Sequence, residues 1–495
     1  MSIINVQNLT FAYDGSYDNI FENVTFQLDT DWKLGFIGRN GRGKTTFLNL
    51  LTRKYKYNGS ISSNVKFDYF PFKVDDKTKS AIDIIKEKSY INDYNYWKVQ
   101  KELSFLNMSE ESLFKPFNLL SGGQQVKVLL VSLFLKENNF LLIDEPTNHL
   151  DIDSRKIVSN YLKSKKGFIL VSHDRQFLDN CIDHIMVINK TNIEIQKGNF
   201  SSWFKNKQNQ DNFEILQDKK LKKDILKLEK SAKQIANWAN KIEKSKNGTK
   251  NSGLRPDTGY IGHKSAKMMK RSKNAEKRKQ SAIEEKSCLL KNIEFAKELN
   301  INFLKNNFKK LLNLNNISLF YDNKIICKNI TFEVNQNDRI CIYGKNGCGK
   351  STILKFINDD KKIIFKGNFE KANNLKISYV SQDTSQLKGN LRDFAKSQNI
   401  DESLLKNILR KLDFSRTQFE KDISIFSEGQ KKKVLLAKSL SEEAHLYLWD
   451  EPLNFIDILS RIQIENLILK FKPTIIFVEH DELFIKNLST KTINI

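Results

Sequence analysis

Two short stretches have residue types and spacings suited to holding a polyphosphate: Gly38-Arg-Asn-Gly-Arg-Gly-Lys44-Thr45 and Gly344-Lys-Asn-Gly-Cys-Gly-Lys350-Ser351. Each follows an apolar run (Leu34 to Ile37, Ile340 to Tyr343) that reads as a buried strand, and each opens into an amphipathic stretch that reads as a helix. Gly38, Gly41 and Gly43, like Gly344, Gly347 and Gly349, free the backbone to curl its NH groups around phosphate oxygens, with Asn40 and Asn346 inside the same loops. The helix that follows points its positive dipole end at the anion. Lys44 and Lys350 can reach the outer phosphates, Thr45 and Ser351 offer a hydroxyl to Mg²⁺, and Thr46 and Thr352 sit one residue further on. The chemistry implied is binding of ATP with Mg²⁺.

Downstream, FLLIDE (140 to 145) and HLYLWDE (445 to 451) end apolar strands in an acidic pair. A buried strand holds such a tip rigidly at the carboxyl edge of a parallel sheet, where ligands of these sheets bind. Asp144 and Asp450 are expected in the Mg²⁺ shell, and Glu145 and Glu451 are expected to orient or deprotonate the attacking water. FILVSH and IIFVEH repeat the device with His173 and His480, placed to sense the terminal phosphate. The offset of 306 positions between Lys44 and Lys350 also links Ser121 to Ser427 and Asp144 to Asp450. The chain therefore contains two copies of one α/β domain, expected at 1–204 and 305–495, with a connector at 205–304.

The formal net charge is +24, from 82 Lys and Arg against 58 Asp and Glu, which favours a polyanionic partner. The charge clusters: residues 201–300 hold about 25 basic and about 12 acidic side chains. In that segment Leu221, Ile225, Leu228, Ala232, Ile235, Ala239 and Ile242 alternate spacings of four and three, the seam of a coiled coil. A return stretch, Met268, Ala275, Ala282, Leu289, Ile293 and Ala296, keeps the register, with Ser272, Lys279 and Lys286 read as interruptions. An antiparallel hairpin follows, with helices of about 34 residues and about 50 Å and a turn near 247–263. Lys250, Leu254, Arg255, Tyr260, His263, Lys264, Lys267, Met268, Lys270 and Arg271 are candidates to meet RNA, lysines on phosphates and apolar side chains on bases. The apolar runs are too short for a membrane helix, the N-terminus has no leader pattern, and the five cysteines show no ligand spacing. A reducing cytoplasm is the expected setting.

LSGGQ at 120–124 makes the chain resemble the ABC ATPases. That resemblance implies a head-to-tail arrangement in which ATP lies between the phosphate loop of one copy and Ser121, Gly122, Gly123 and Gln124, or Ser427, Gly429 and Gln430, of the other. With both copies in one chain, a monomer suffices. By the same resemblance Tyr13 and Tyr321 are expected to stack on adenine, and Gln382 to touch Mg²⁺ and water. The second signature departs from the pattern with Glu428 in place of a glycine, and the first copy has Phe72 where Gln382 aligns. Both departures fall in the composite site built on Lys44, so unequal hydrolysis at the two sites is expected. Two ABC copies, a basic coiled-coil connector and DEPTNHLD at 144–151 (DEPLNFID in the second copy) resemble the ABC-F family of ribosome-binding ATPases. WKLGFIGRNGRGKTT and HKSAKMMKRSK look most like its Lsa-type antibiotic-resistance branch. The resemblance implies a bacterial 70S ribosome as partner, with the connector entering by the tRNA exit site toward the peptidyl-transferase centre, near 23S rRNA and P-site tRNA. It also implies protection against lincosamides, pleuromutilins and group A streptogramins, and no membrane partner; the alternative readings are a housekeeping translation factor of the same family and, further off, the ATPase subunit of a membrane transporter.

Overall fold

In a computed structural model of the chain, the described residues are all except Met1, 16–18, His149, 190–191, 245–256, 289–297, 306–307 and 322–323. They divide into two compact units, one formed by Met1–Ser201 with Ala296–Ile495, the other by Ser202–Phe295.

The first unit contains the same architecture twice. In the first half the strands Lys66–Phe70, Asn139–Asp144, Phe168–Val171, Lys33–Gly38, His184–Ile188 and Ile193–Lys197 lie in that order in one sheet, parallel except for the last. In the second half Ile377–Val380, Leu446–Asp450, Ile475–Val478, Arg339–Tyr343 and Lys491–Asn494 repeat the parallel order. Each half adds a three-stranded antiparallel sheet, Ile3–Phe11, Phe21–Asp29 and Asn58–Ser62, or Lys310–Tyr321, Lys324–Asn335 and Ile364–Lys371. The central strands Phe168–Val171 and Ile475–Val478 are buried at every residue, as strands covered on both faces must be.

This topology gathers the chemistry at one edge. Asp144 pairs with Val171, and Asp450 with Val478. The acidic pair, the residues entering each histidine loop and the end of each phosphate-loop strand therefore share the carboxyl side of the sheet. The turn from strand to helix depends on glycine at one position per loop. Gly43 has φ 94° with Ile20 Cγ2 2.5 Å from where a Cβ would stand, and Gly349 has φ 100° with Cys327 Sγ at 2.2 Å. Any side chain there would displace the strand that backs the loop.

The second unit is helical. Its long helix, Phe200–Lys244, has 45 residues, about 68 Å at the α-helical rise and longer than the sequence pattern suggested. The other helix, Thr258–Cys288, starts inside the expected turn, because Asp257 Oδ1 accepts from the backbone NH groups of Gly259 and Tyr260 at 3.0 Å each. Residues 258–263 are therefore helical. Lys250, Leu254, Arg255, Leu289, Ile293 and Ala296 lie outside the described residues.

Ala232 and Ala239 are buried, as are Ser265 and Ser272. The two serine hydroxyls donate to the carbonyls of Ala239 and Ala232, at 3.2 Å each. Ser272 therefore belongs to the seam it was expected to interrupt: side chains this small let two backbones approach closely enough for a hydroxyl to reach the opposite carbonyl. Lys279 reaches Glu229 at 3.6 Å across the same seam. Ala239→Leu should pry the helices apart at a cost of about 1–3 kcal/mol. Hydrogen exchange in the full chain should quicken in 225–242 and 265–279 and stay unchanged in the strands of the first unit.

Candidate active site

Both phosphate-loop lysines turn inward. Lys44 is buried and its Nζ donates to the carbonyls of Gly38 and Arg39 at 2.6 and 3.2 Å. Lys350 donates to Gly344 and Lys345 at 2.9 Å each. Burial pulls the Lys44 ammonium below its ordinary value, with Asp457, Glu145 and Asp144 acting in the opposite sense. The hydroxyl of Thr45 donates to Asp144 Oδ2 and that of Ser351 to Asp450 Oδ1, each at 3.0 Å. Asp450 is fully buried and its Oδ2 has no hydrogen-bond partner; burial pushes its carboxyl up to about 6. A hydroxyl beside a buried carboxylate oxygen left without a donor is a hard oxygen donor set suited to Mg²⁺. Bound there, Mg²⁺ would neutralise charge on the phosphates.

The two carboxylates that follow are held differently. Glu451 Oε2 accepts from Gln382 Nε2 at 2.8 Å and from Asn454 Nδ2 at 2.6 Å, while His480 Nε2 stands 3.6 Å from Oε1. Burial alone would raise its pKa, but the bonds from His480 and Gln382 outweigh it and leave the carboxyl below its usual range. Glu145 has His173 Nε2 at 3.3 Å, yet its Oε1 is buried without a hydrogen bond. Burial, reinforced by Asp144, pushes it up to about 8. His173 itself is held well below the usual histidine value by burial and by Lys44. Glu451 is thus an ionised acceptor held by Gln382 and Asn454, whereas Glu145 tends to keep its proton. Gln382, expected on the metal, is found orienting Glu451. Its counterpart Phe72 carries the Lys88 ammonium 4.9 Å over its ring.

Tyr69 was not singled out by its sequence, since a tyrosine in a strand usually reads as core. Its hydroxyl donates to Asp144 Oδ2 at 2.8 Å, so that oxygen already serves Thr45 and Tyr69 together. Tyr379, in the matching place of the second half, has a buried hydroxyl without a partner.

The structure assembles one of the two expected composite sites. The cleft at Lys44, about 590 Å³, is bounded by Tyr13, Thr45 and Asp144 of the first half and by Ser427, Glu428, Gly429 and Phe455 of the second. Gly429 is needed there: a Cβ would stand 2.4 Å from Phe455 O and 2.7 Å from Asn40 Nδ2. The cleft at Lys350, about 1030 Å³, is lined from Tyr321 to Asp450 by residues of the second half alone. Gly123 has only Leu150 and Ser154 of its own half near its Cβ position. Ser121, Gly122, Gly123 and Gln124 are absent from the lining of this cleft, which borders the second phosphate loop at Ser351 and Thr352.

Both signatures form capping boxes. Ser121 Oγ accepts from Gln124 NH and Gln124 Oε1 from Ser121 NH, and Ser427 and Gln430 repeat the pair. Gln124 and Gln430 thus cap helix N-termini, and Gln430 is absent from the lining of the Lys44 cleft. Glu428 turns aside, accepting from Thr384 Oγ1 at 2.5 Å. Tyr13 and Tyr321 border their clefts at 42% exposure each, with the Tyr13 hydroxyl 2.8 Å from Thr46 Oγ1.

The model of the ABC transporter family matches residues 21–148 and 327–454, just over half of the chain. The chain belongs to that family. It is 29% identical over 520 residues to the ATP-binding protein Uup of Buchnera aphidicola, an alignment covering 99% of this chain and 80% of that protein. It is 25% identical to the ribosome protection protein VmlR of Bacillus subtilis, over 96% of this chain and 84% of the relative. Among solved structures it is similar in fold to the archaeal ribosome recycling factor aABCE1, crystallised with the stalk protein aP1, at TM-score 0.61 and 17% identity over 98% of this chain and 87% of that one. With its tandem halves it is an ATPase, using ATP and Mg²⁺. Among the described residues no helix is long and apolar enough to cross a membrane.

Replacing Glu451 by Gln should lower steady-state ATPase by about a hundredfold or more, the range for losing a general base. Glu145→Gln should cost only severalfold, because Glu145 already tends to hold its proton and Phe72 supplies no amide to orient it. Equal losses in parallel turnover assays would refute the inequality.

Proposed function

We propose that this ATPase acts on the bacterial ribosome in the cytoplasm, as a monomer. Its helical unit enters by the tRNA exit site toward the peptidyl-transferase centre, beside 23S rRNA and P-site tRNA, and it protects the ribosome from lincosamides, pleuromutilins and streptogramin A compounds. The observation that carries the reading is the helical unit itself: a two-helix rod whose outer surface is predominantly basic, in a chain similar over 96% of its length to a protein named for ribosome protection. Lysines on the surface of such a rod suit RNA phosphates. Tyr260 and Met269 are exposed at 64% and 41%, His263, Lys264, Lys267, Lys270 and Arg271 are exposed, and Lys264 Nζ stands 6.0 Å from the Tyr260 ring centre. Met268, half-buried, faces the seam. It serves packing more than RNA.

Nucleotide binding closes the halves and hydrolysis reopens them, so Glu145→Gln together with Glu451→Gln should retain the protein on ribosomes in ATP. Cosedimentation of this double variant should weaken by about a thousandfold between about 50 and about 200 mM salt if roughly six phosphates are engaged; a flat response would remove the electrostatic basis. In a sensitive host, expression should raise tolerance to the three drug classes. Tyr260→Ala combined with Lys264→Ala and Lys267→Ala should abolish that tolerance and leave basal ATPase unchanged. Ribosome binding without any drug tolerance would instead mark a housekeeping translation factor.

A further inference from the structure

The two ATP sites differ in what holds the halves together across them. In the first phosphate loop Arg39 is buried at 5% exposure and Arg42 lies beside it. Both guanidinium groups stand 3.8 Å from Asp413 Oδ2 of the second half. Between them Asn40 Nδ2 donates to the carbonyl of Phe455 at 2.7 Å. Asp413 follows the helix Glu402–Lys411 of the second half in a left-handed conformation, φ 71°, with its carboxylate facing the loop opposite. Arg39, Asn40 and Arg42 of one phosphate loop are thus engaged by the other half.

The same positions in the other site cannot form this arrangement. The second loop has Lys345 and Cys348 in place of Arg39 and Arg42, and the second residue after the matching helix, Tyr96–Phe105, in the place that Asp413 takes after Lys411, is Asn107 at φ 48°. The backbone conformation is repeated but the charge is not. Two fixed guanidinium forks facing a carboxylate become one flexible ammonium, one thiol and a neutral amide. In keeping with this, the Lys44 cleft is walled by both halves and the Lys350 cleft by one.

The structure assigns Asp413 as a positioning residue that clamps the first phosphate loop, so that the Lys44 site stays assembled around its nucleotide while the Lys350 site opens and closes during turnover. The clamp acts through Arg39 and Arg42 and touches no reacting atom. Arg39 also faces the buried Asp457 of the second half; removing Asp413 takes away one of its carboxylates while the buried guanidinium keeps its desolvation cost, and so favours separation of the halves at this site.

The test uses the full chain loaded with radiolabelled ATP and Mg²⁺, freed of excess by gel filtration, and chased with unlabelled ATP. Wild type should retain about one nucleotide per chain, lost on Lys44→Ala and kept on Lys350→Ala. Asp413→Asn, which copies the other site, should release the label about tenfold faster, in the range of a lost interfacial charge pair. Asp413→Glu should restore slow release. High salt should speed release from wild type more than from Asp413→Asn, an effect that a purely structural role of Asp413 would not produce. Unchanged release from a folded Asp413→Asn, or a retained label that depends on Lys350 instead of Lys44, would overturn the assignment. Should Asp413→Asn lose its fold by circular dichroism, the comparison of Arg42→Gln with wild type decides the matter by the same release rates.

Discussion

Each phosphate loop encloses a lysine ammonium whose hydrogen-bond partners, among the described residues, are carbonyl oxygens of the loop itself. A cation buried this way is solvated by dipoles while its charge remains available. At Lys44 the carboxyl groups of Asp457, Glu145 and Asp144 act from a distance. The surrounding structure follows from keeping that ammonium both accessible and dry. Parallel strands buried on both faces bring the carboxylates to the same edge. A glycine with positive φ lets the backbone fold over the lysine without colliding with Ile20 or Cys327. A site so preorganised for a polyanion loses little on meeting one.

The difference between the two halves reduces to how many donors each carboxylate is given. Glu451 is satisfied by two side-chain amides, and Asp450 keeps one buried oxygen for a cation. In the first half the pattern is reversed: Asp144 is served by two hydroxyls, and Glu145 keeps its Oε1 buried without a hydrogen bond. The two halves share a backbone but not a donor count, and the donor count sets which carboxylate can accept a proton at neutral pH.

Much of this was legible in the chain. The 306-residue offset, the glycine spacing and the acidic strand ends specify the α/β halves because backbone curvature and strand burial admit few alternatives. Phe72 and Glu428 were legible as departures because the intact copy stands beside them. Tyr69 was not, since nothing in YFPF distinguishes a core tyrosine from one whose hydroxyl meets an aspartate 75 positions away. Nor could spacing show that Gln382 reaches Glu451, or that one signature would face its phosphate loop and the other would not. In the helical unit, hydrophobic periodicity located the seam of the long helix through Ala232 and Ala239. It misread Ser272, because a serine that pays for its burial with a bond to the neighbouring helix looks, in sequence, like a polar interruption.

The serine bonds of that seam also have a mechanical consequence. Apolar ridges alone permit two helices to slip past each other by a fraction of a turn at small cost. Ser265 and Ser272, seven residues apart and bonded to carbonyls seven residues apart on the opposite helix, pin the pair at two points and remove that freedom. A pinned pair resists bending as a single beam, with one helix in tension and the other in compression, and so is far stiffer than two helices free to shear. Pushed at one end, such a beam delivers the displacement to its other end instead of dissipating it along its length.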